Sequence, residues 1–522
     1  MEAITESLTP EGHRKVSVRT KLLFASGTLQ EAAVTAGGLT TMLFYNQLLG
    51  VSGTLAGTAF LIASISDAVT DPLVGAFSDN FKSRWGRRHP LMLASILPIA
   101  IGFYLLYQPP ADLSEFGYFL WLTTFLVLLR IGQTLYLIPH DALGAELTQD
   151  YEGRNLIFAY NTVAQGVLTI TVVGVVTMLI FPSNEQFENG LLNQAAYFIL
   201  AVAGCATIIF SVLLCTLGTL DQIPHLHQIS NKKSFKLRVY LRGLSVLLSS
   251  RSYLAACISI LTIYISIGII GIVANYAYLY VFELTTQQLF WASVAKTPGI
   301  LVALPLLAYV GTRFEKKNIV IAAVVITAVF LSLPHNLSML GLFPGNDSPW
   351  VLIGLFVPLA IGYLIFPMAT ITLDSQLADC ADEHDMRSGD RAEGAIFAVR
   401  SFALKTTNGI GAFIAGIALD IIRFPDNAEM GMLEPFTVDG LLFLNGPLFL
   451  IIYLIAAYAM SFYAIDKARH DEILQTLKER NETRGSQLKA SNTMINPLMS
   501  DGSDASGEGS LGGDSSGGGG SE

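Results

Sequence analysis

The stretch "SDAVTDPLVGAFSDNFKSRWGRRHP", residues 66–90, sets two carboxylates in an otherwise apolar run and follows them with a dense basic loop. Asp67 and Asp71 are four residues apart, about 40° around a helix, so they share a face. A charged side chain at bilayer depth costs roughly 3 kcal/mol or more, so an intramembrane pair reads as a functional site. The loop that follows carries Lys82, Arg84, Arg87 and Arg88. Basic residues gather on the cytoplasmic side of membrane helices, so the same stretch also fixes an orientation.

The rest of the chain fits a bilayer. Of its 522 residues 52% are hydrophobic and only 14% charged, with a mean hydropathy of +0.53, which excludes an ordinary soluble domain. A spanning helix needs about 20 apolar residues. Twelve segments qualify: α1 at 22–49, α2 at 53–78, α3 at 90–108, α4 at 117–143, α5 at 155–181, α6 at 195–219, α7 at 252–282, α8 at 288–311, α9 at 318–334, α10 at 349–376, α11 at 394–422 and α12 at 440–464. With both termini inside, 26 of the 31 basic residues fall in cytoplasmic segments and one, Arg423, falls outside. The remaining four, Arg130, Lys296, Arg400 and Lys405, lie within helices.

Residues 1–20 lack the apolar core and cleavage site of a signal peptide and form a cytoplasmic segment. A six-helix bundle over 21–219 is joined by the polar loop 220–250 to a second bundle over 251–466. The tail 467–522 is expected to be cytoplasmic, and disordered from about 485 by its Gly/Ser-rich, acidic composition. The halves echo each other. Gly75 precedes Asp79 and basic residues, as Gly311 precedes Glu315, Lys316 and Lys317; Pro139 precedes Glu146 by seven, as Pro367 precedes Asp374. Two six-helix repeats with a site between them is the layout of a secondary transporter. Cys205, Cys215 and Cys257 fall in helices and Cys380 is expected in a loop, with no disulfide framework.

Two neighbouring carboxylates repel and call for a cation between them. Asp67 and Asp71 could cradle Na⁺, a hard ion that prefers oxygen ligands, or carry H⁺, with Thr70 and Thr134 adding hydroxyl oxygens. Lys405 is a basic partner whose ammonium would compete with the arriving cation. Glycines 409, 411 and 416 on the same helix allow close approach of neighbours. Arg130, Thr134 and Asp141 recur on one face of α4, with Pro139 between them, as a polar stripe facing a central cavity. Gln30 and Glu31 of α1 and Arg400 of α11 are further cavity candidates. Tyr276, Tyr278, Tyr280 and Trp291 suit either a sugar face or an interfacial aromatic belt. Lys296 faces inward or snorkels.

No HExxH or phosphate-loop pattern is present, so an enzyme is not expected, nor any cofactor beyond the coupling ion. These motifs make the chain resemble the glycoside–pentoside–hexuronide:cation symporters of the major facilitator superfamily, whose best-known member is melibiose permease. The resemblance covers about residues 20–465 and rests on "DAVTDPLVGAFSDNFKSRWGRRHP", "ALGAELTQDYEGR" at 142–154 and "DEHDMRSGDRAEGAIFAVRSFALK" at 382–405. It implies an all-α fold of twelve helices in two bundles rocking about a central cavity. It implies that Asp67, Asp71, Thr134 and Lys405 form the cation site. It also implies charge pairs across the cytoplasmic face from Asp79, Arg84, Arg87, Arg88, Glu146, Asp150, Arg154, Arg391 and Glu393, with Gly75 in the same motif. The permease's galactoside contacts map to Ala32, Leu137 and Asn161, which lack the charges, so a galactoside is not expected. The expected substrate is a glycoside, pentoside or uronate, with a lysolipid, or a non-transporting receptor, as the other readings. The expected setting is the plasma (bacterial inner) membrane, with the bilayer and a small solute as partners, no nucleic acid, and a monomer as the working unit.

Overall fold

The computed structural model describes residues 16–81, 83–148, 150–226, 250–388, 393–426 and 428–495. Among them every regular element is helical. Ten helices are long and apolar enough to span a bilayer: α2 (Gly53–Asn80), α3 (His89–Leu106), α4 (Glu115–Glu146), α5 (Glu152–Ile180), α6 (Ala196–Gly218), α7 (Arg251–Tyr280), α9 (Lys316–Met339), α10 (Trp350–Ser388), α11 (Phe402–Ile421) and α12 (Pro435–Met460). The two remaining predicted spans are helical but divided. α1 breaks into Val18–Ala25 and Thr28–Leu43, and α8 into Thr286–Ala295 and Pro298–Gly311.

Each break has a local cause. In α8, Pro298 lacks the N–H that would continue the ladder, so the first segment ends and the second starts on that proline. In α1, a Cβ on Gly27 would lie 2.1 Å from the Tyr136 hydroxyl, so the glycine at the junction lets α4 press against the backbone. Helix starts are capped by side chains: Ser114 accepts from Gly117 N, Asp150 from Gly153 N, and Thr285 and Gln288 form a reciprocal capping box.

Two buried cores lie wholly within the second half, and a third joins the first half to α7, α11 and α12. The principal contact between halves runs along α2 and α11, with α5 also against α8. Glycine makes it close: a Cβ on Gly416 would lie 2.0 Å from the Gly53 carbonyl, and one on Gly409 2.4 Å from the Ser64 Cβ. The close approach expected of glycines 409, 411 and 416 is therefore real, Gly411 meeting Gly268 of α7.

The two ends of the bundle differ. At the end opposite the basic loops the halves are stitched together. Asp420 accepts from Gly53 N and Thr54 N at 2.9 and 2.8 Å, capping the start of α2 from the other half. Gln47 donates to the Pro425 carbonyl and accepts from Tyr280 and Ala428 N, while Asn46 accepts from Tyr276 at 2.9 Å. Asn189 donates to the Leu284 carbonyl, and Gly190 N donates to Thr286.

Several expectations need correcting. Cys380 is buried inside α10, not in a loop; all four cysteines are unpaired. The tail forms a helix, α13, over Lys467–Ile495, which runs past the point where composition suggested disorder. It docks through buried Ile473 and Leu477, and Arg480 donates to Asp385 at 2.5 Å. Of the central loop, 227–249 lie outside the described residues, as do 496–522 of the tail.

Candidate transport site

The α2 acids lie where the halves meet. Asp71 accepts from the Thr134 hydroxyl of α4 at 2.8 Å and is ion-paired with the Lys405 ammonium of α11. Asp67, one turn away, has Oδ2 at 3.9 Å from Nε of Arg130. Two acids thus face two bases, one base from each half. The close packing of Gly409 on Ser64, one turn from Lys405, is what brings the ammonium to α2. Thr70 does not join the cluster: its hydroxyl donates to the Ser66 carbonyl of its own helix at 2.9 Å.

The cavity candidates separate. A cavity of about 340 Å³ between the halves is lined by Thr41, Arg130, Gln133, Asn275, Tyr276 and Thr407 among others. Of the predicted cavity residues, Arg130 and Tyr276 line it. The others lie elsewhere. Glu31 accepts from Gln165 at 2.7 Å, Asp141 lies 3.6 Å from His140, and the Gln30 side-chain amide and Asn161 Oδ1 are buried without partners among the described residues. Arg400 pairs with Asp374 at 2.5 Å. Trp291 is 55% exposed beside Phe290, so it is not a cavity residue. Tyr276 and Tyr280 are buried in the seal between halves and Tyr278 in the second half, so none of the three forms an interfacial belt. Lys296 turns inward, its ammonium 5.4 Å over the Tyr363 ring.

At the basic end, Glu146 is the hub. Its Oε1 accepts from Arg88 at 2.8 Å and from Arg87 at 3.0 Å, and Arg88 also reaches Asp79 and Ser78. These pairs lie within the first half and do not cross to the second. Asp150 is spent on its helix cap, Arg154 donates to the Thr148 carbonyl at 3.3 Å, and the Arg84 guanidinium lies over the Trp85 ring. Gly75 has only Ile138 near its missing Cβ. Arg391 and the Glu393 side chain lie outside the described residues. In the second half Lys316 bonds Asp379 at 2.7 Å, with Tyr463 and His470 alongside. Asp379, not Asp374, is therefore the counterpart of Glu146; the matched proline spacing points to the wrong acid.

Gln133, His140 and Gln165 escaped the sequence reading. Each is a polar residue on an apolar helix, and Gln133 falls one turn from Arg130, which was the available signal.

The family described as MFS/sugar transport protein matches residues 23–467. The chain belongs to that family and is a multi-pass membrane transporter rather than an enzyme. It is 25% identical over 448 residues to a putative glycoside/cation symporter of Escherichia coli (strain K12), covering 85% of this chain and 90% of that one. It is 23% identical to the isoprimeverose transporter of Lactiplantibacillus pentosus, covering 82% and 84%. The xylose transporter of E. coli in its inward-open conformation shares the fold, with a TM-score of 0.55 at 14% identity over 88% of this chain and 98% of that one.

Proposed function

We propose that the chain couples a cation, Na⁺ or H⁺, to the movement of a sugar or sugar derivative by alternating access. The observation that carries this reading is the Lys405–Asp71 ion pair, which ties one half to the other through the predicted cation site. A cation arriving at Asp67 and Asp71 competes with the ammonium. Na⁺ would take carboxylate oxygens and the Thr134 hydroxyl oxygen as ligands, while H⁺ needs only one carboxylate. Either frees Lys405, so occupancy and the balance between states become linked. With the termini cytoplasmic, as the Lys/Arg distribution suggests, the stitched end is the outer one and this conformation faces the cytoplasm. The relatives, a putative glycoside/cation symporter and an isoprimeverose transporter, support a sugar-like solute in a bacterial inner membrane.

One observation favours a second reading, carriage of an amphiphile such as a lysolipid. A groove of about 610 Å³ between α1 and α5 is lined almost wholly by apolar side chains, Leu22, Leu156, Val163 and Val167 among them. Thermal stability of the purified protein against glycosides, pentoses, uronates and lysolipids, each with and without Na⁺, separates the readings. A true ligand stabilises by RT ln(1 + [L]/Kd), about 2.7 kcal/mol at a hundredfold excess. A sugar that stabilises more strongly with Na⁺ supports the first reading. Stabilisation by lysolipid alone supports the second. Lys405→Ala should impair coupled uptake; wild-type transport under every gradient would remove Lys405 from the coupling step.

A further inference from the structure

We infer that Arg130 selects a solute carrying one negative charge, so that cation and solute occupy the protein as a neutral pair. The inference rests on the symport reading above and narrows its substrate class. The cavity between the halves has polar groups around its wall, but Arg130 is the one charged side chain among its described lining residues. Its volume of about 340 Å³ lies at the small end of ligand pockets, which suits a monosaccharide better than a longer glycoside. Arg130 itself is incompletely used. Its Nε stands 3.9 Å from Asp67, beyond hydrogen-bond reach, and among the described residues it makes no hydrogen bond. Lys405, in contrast, is bonded to Asp71. One turn along α4, Gln133 offers a buried Oε1 with no partner among the described residues, an acceptor for a sugar hydroxyl.

Charge balance points the same way. Asp67 and Asp71 are offset by Arg130 and Lys405, and Asp374 and Arg400 offset each other at 2.5 Å. Glu31 and Asp141 do not line this cavity. A cation added to the balanced site leaves one uncompensated positive charge in a poorly screened interior, which favours an anion close by. The guanidinium fork fits a carboxylate or sulfonate through paired N–H donors, a geometry that a neutral hydroxyl cannot match.

The test uses the full-length protein in proteoliposomes, with D-glucuronate, D-galacturonate and glucose 6-sulfonate set against glucose, galactose and xylose. Uptake and charge displacement are followed under Na⁺ and H⁺ gradients. The wild type should accumulate an anionic sugar with no net charge movement, and Arg130→Gln should weaken its binding by about ten- to a hundredfold. Arg130→Lys should retain part of the affinity. Accumulation of a neutral sugar with a net current, or equal binding of the anion by Arg130→Gln, overturns the inference and leaves sugar symport standing. If the wild type moves neither class, both the inference and the reading beneath it fall. Should Arg130→Gln not fold, charge movement by the wild type decides alone.

Discussion

The two ends of this molecule are held by different kinds of contact. At the stitched end, Asp420 of α11 caps α2 across the boundary between halves, and Asn46 and Gln47 bond to Tyr276 and Tyr280 of the other half. At the basic end, Glu146 gathers Arg87 and Arg88 inside one half while Asp379 holds Lys316 inside the other. One end spends its polar groups on the partner half, and the other spends them on itself. Between the two stands the Lys405–Asp71 pair, the contact whose loss should matter most.

Asp71→Asn removes the charge that Lys405 meets and that a cation would need. Removing one member of this part-buried charge pair, and a cation ligand with it, costs at least about 2 kcal/mol, so gradient-driven uptake should fall by about thirtyfold. Exchange of solute across equal cation concentrations should suffer less. Uptake that keeps its full Na⁺ or H⁺ dependence would remove Asp71 from the cation site.

Glu146→Gln breaks the self-tied end. Glu146 is only 3% exposed and its neutral replacement leaves Arg87 and Arg88 without its buried countercharge, so thermal unfolding should show a loss of about 3 kcal/mol. Because the network stays within one half, distances between spin labels on α2 and α11 should not change. A widened distribution would mean that the basic end also holds the halves together in this conformation.

Asp420→Asn breaks the stitched end. The amide keeps the shape but loses the negative charge and one of the two oxygens that accept from the first N–H groups of α2, worth about 1–2 kcal/mol for charge-assisted bonds at a helix start. Labels in the α1–α2 and α11–α12 loops should move apart in a larger fraction of molecules, while the melting temperature changes little. An unchanged distribution would show that the glycine packing of α2 on α11 holds this end without Asp420.

The amino-acid sequence made the fulcrum legible and the ends much less so. Asp67, Asp71, Arg130 and Lys405 stand out because charge within an apolar helix needs a reason. Thr70 and Thr134 look alike in sequence, yet a hydroxyl on a helix readily bonds its own i−4 carbonyl, and only the packing of α4 on α2 turns Thr134 toward Asp71. The acid answering Glu146 was misplaced for a related reason. Pro367 and Asp374 repeat the spacing of Pro139 and Glu146, but α10 continues as a helix to Ser388, so the acid that meets Lys316 lies five residues further on. That extension also put Cys380 in a helix, since the polar stretch beyond the apolar run reads as loop until α13 is seen packed near it. The stitches at Asn46, Gln47 and Asp420 belong to one conformation, and no local pattern marks them.

The smallest expected effect sharpens the stitched end. Asp426, in the turn after α11, has its carboxyl pushed above the ordinary aspartate range, first by burial and then by the nearby carboxylates of Glu115 and Asp420. Its raised value means that folding favours the protonated form. Below the unfolded value of about 3.8 the group is neutral in both states and contributes nothing. As pH rises from there through the folded value, ionisation costs the folded protein stability, and the penalty then stays constant. Because the group is mostly exposed, solvent screening keeps the penalty small. Asp426→Asn should therefore raise the melting temperature slightly at pH 7 and leave it unchanged near pH 3. A stabilisation that instead grows toward low pH would have the opposite sign. It would show that the Asp426 carboxylate supports the stitched end instead of straining it.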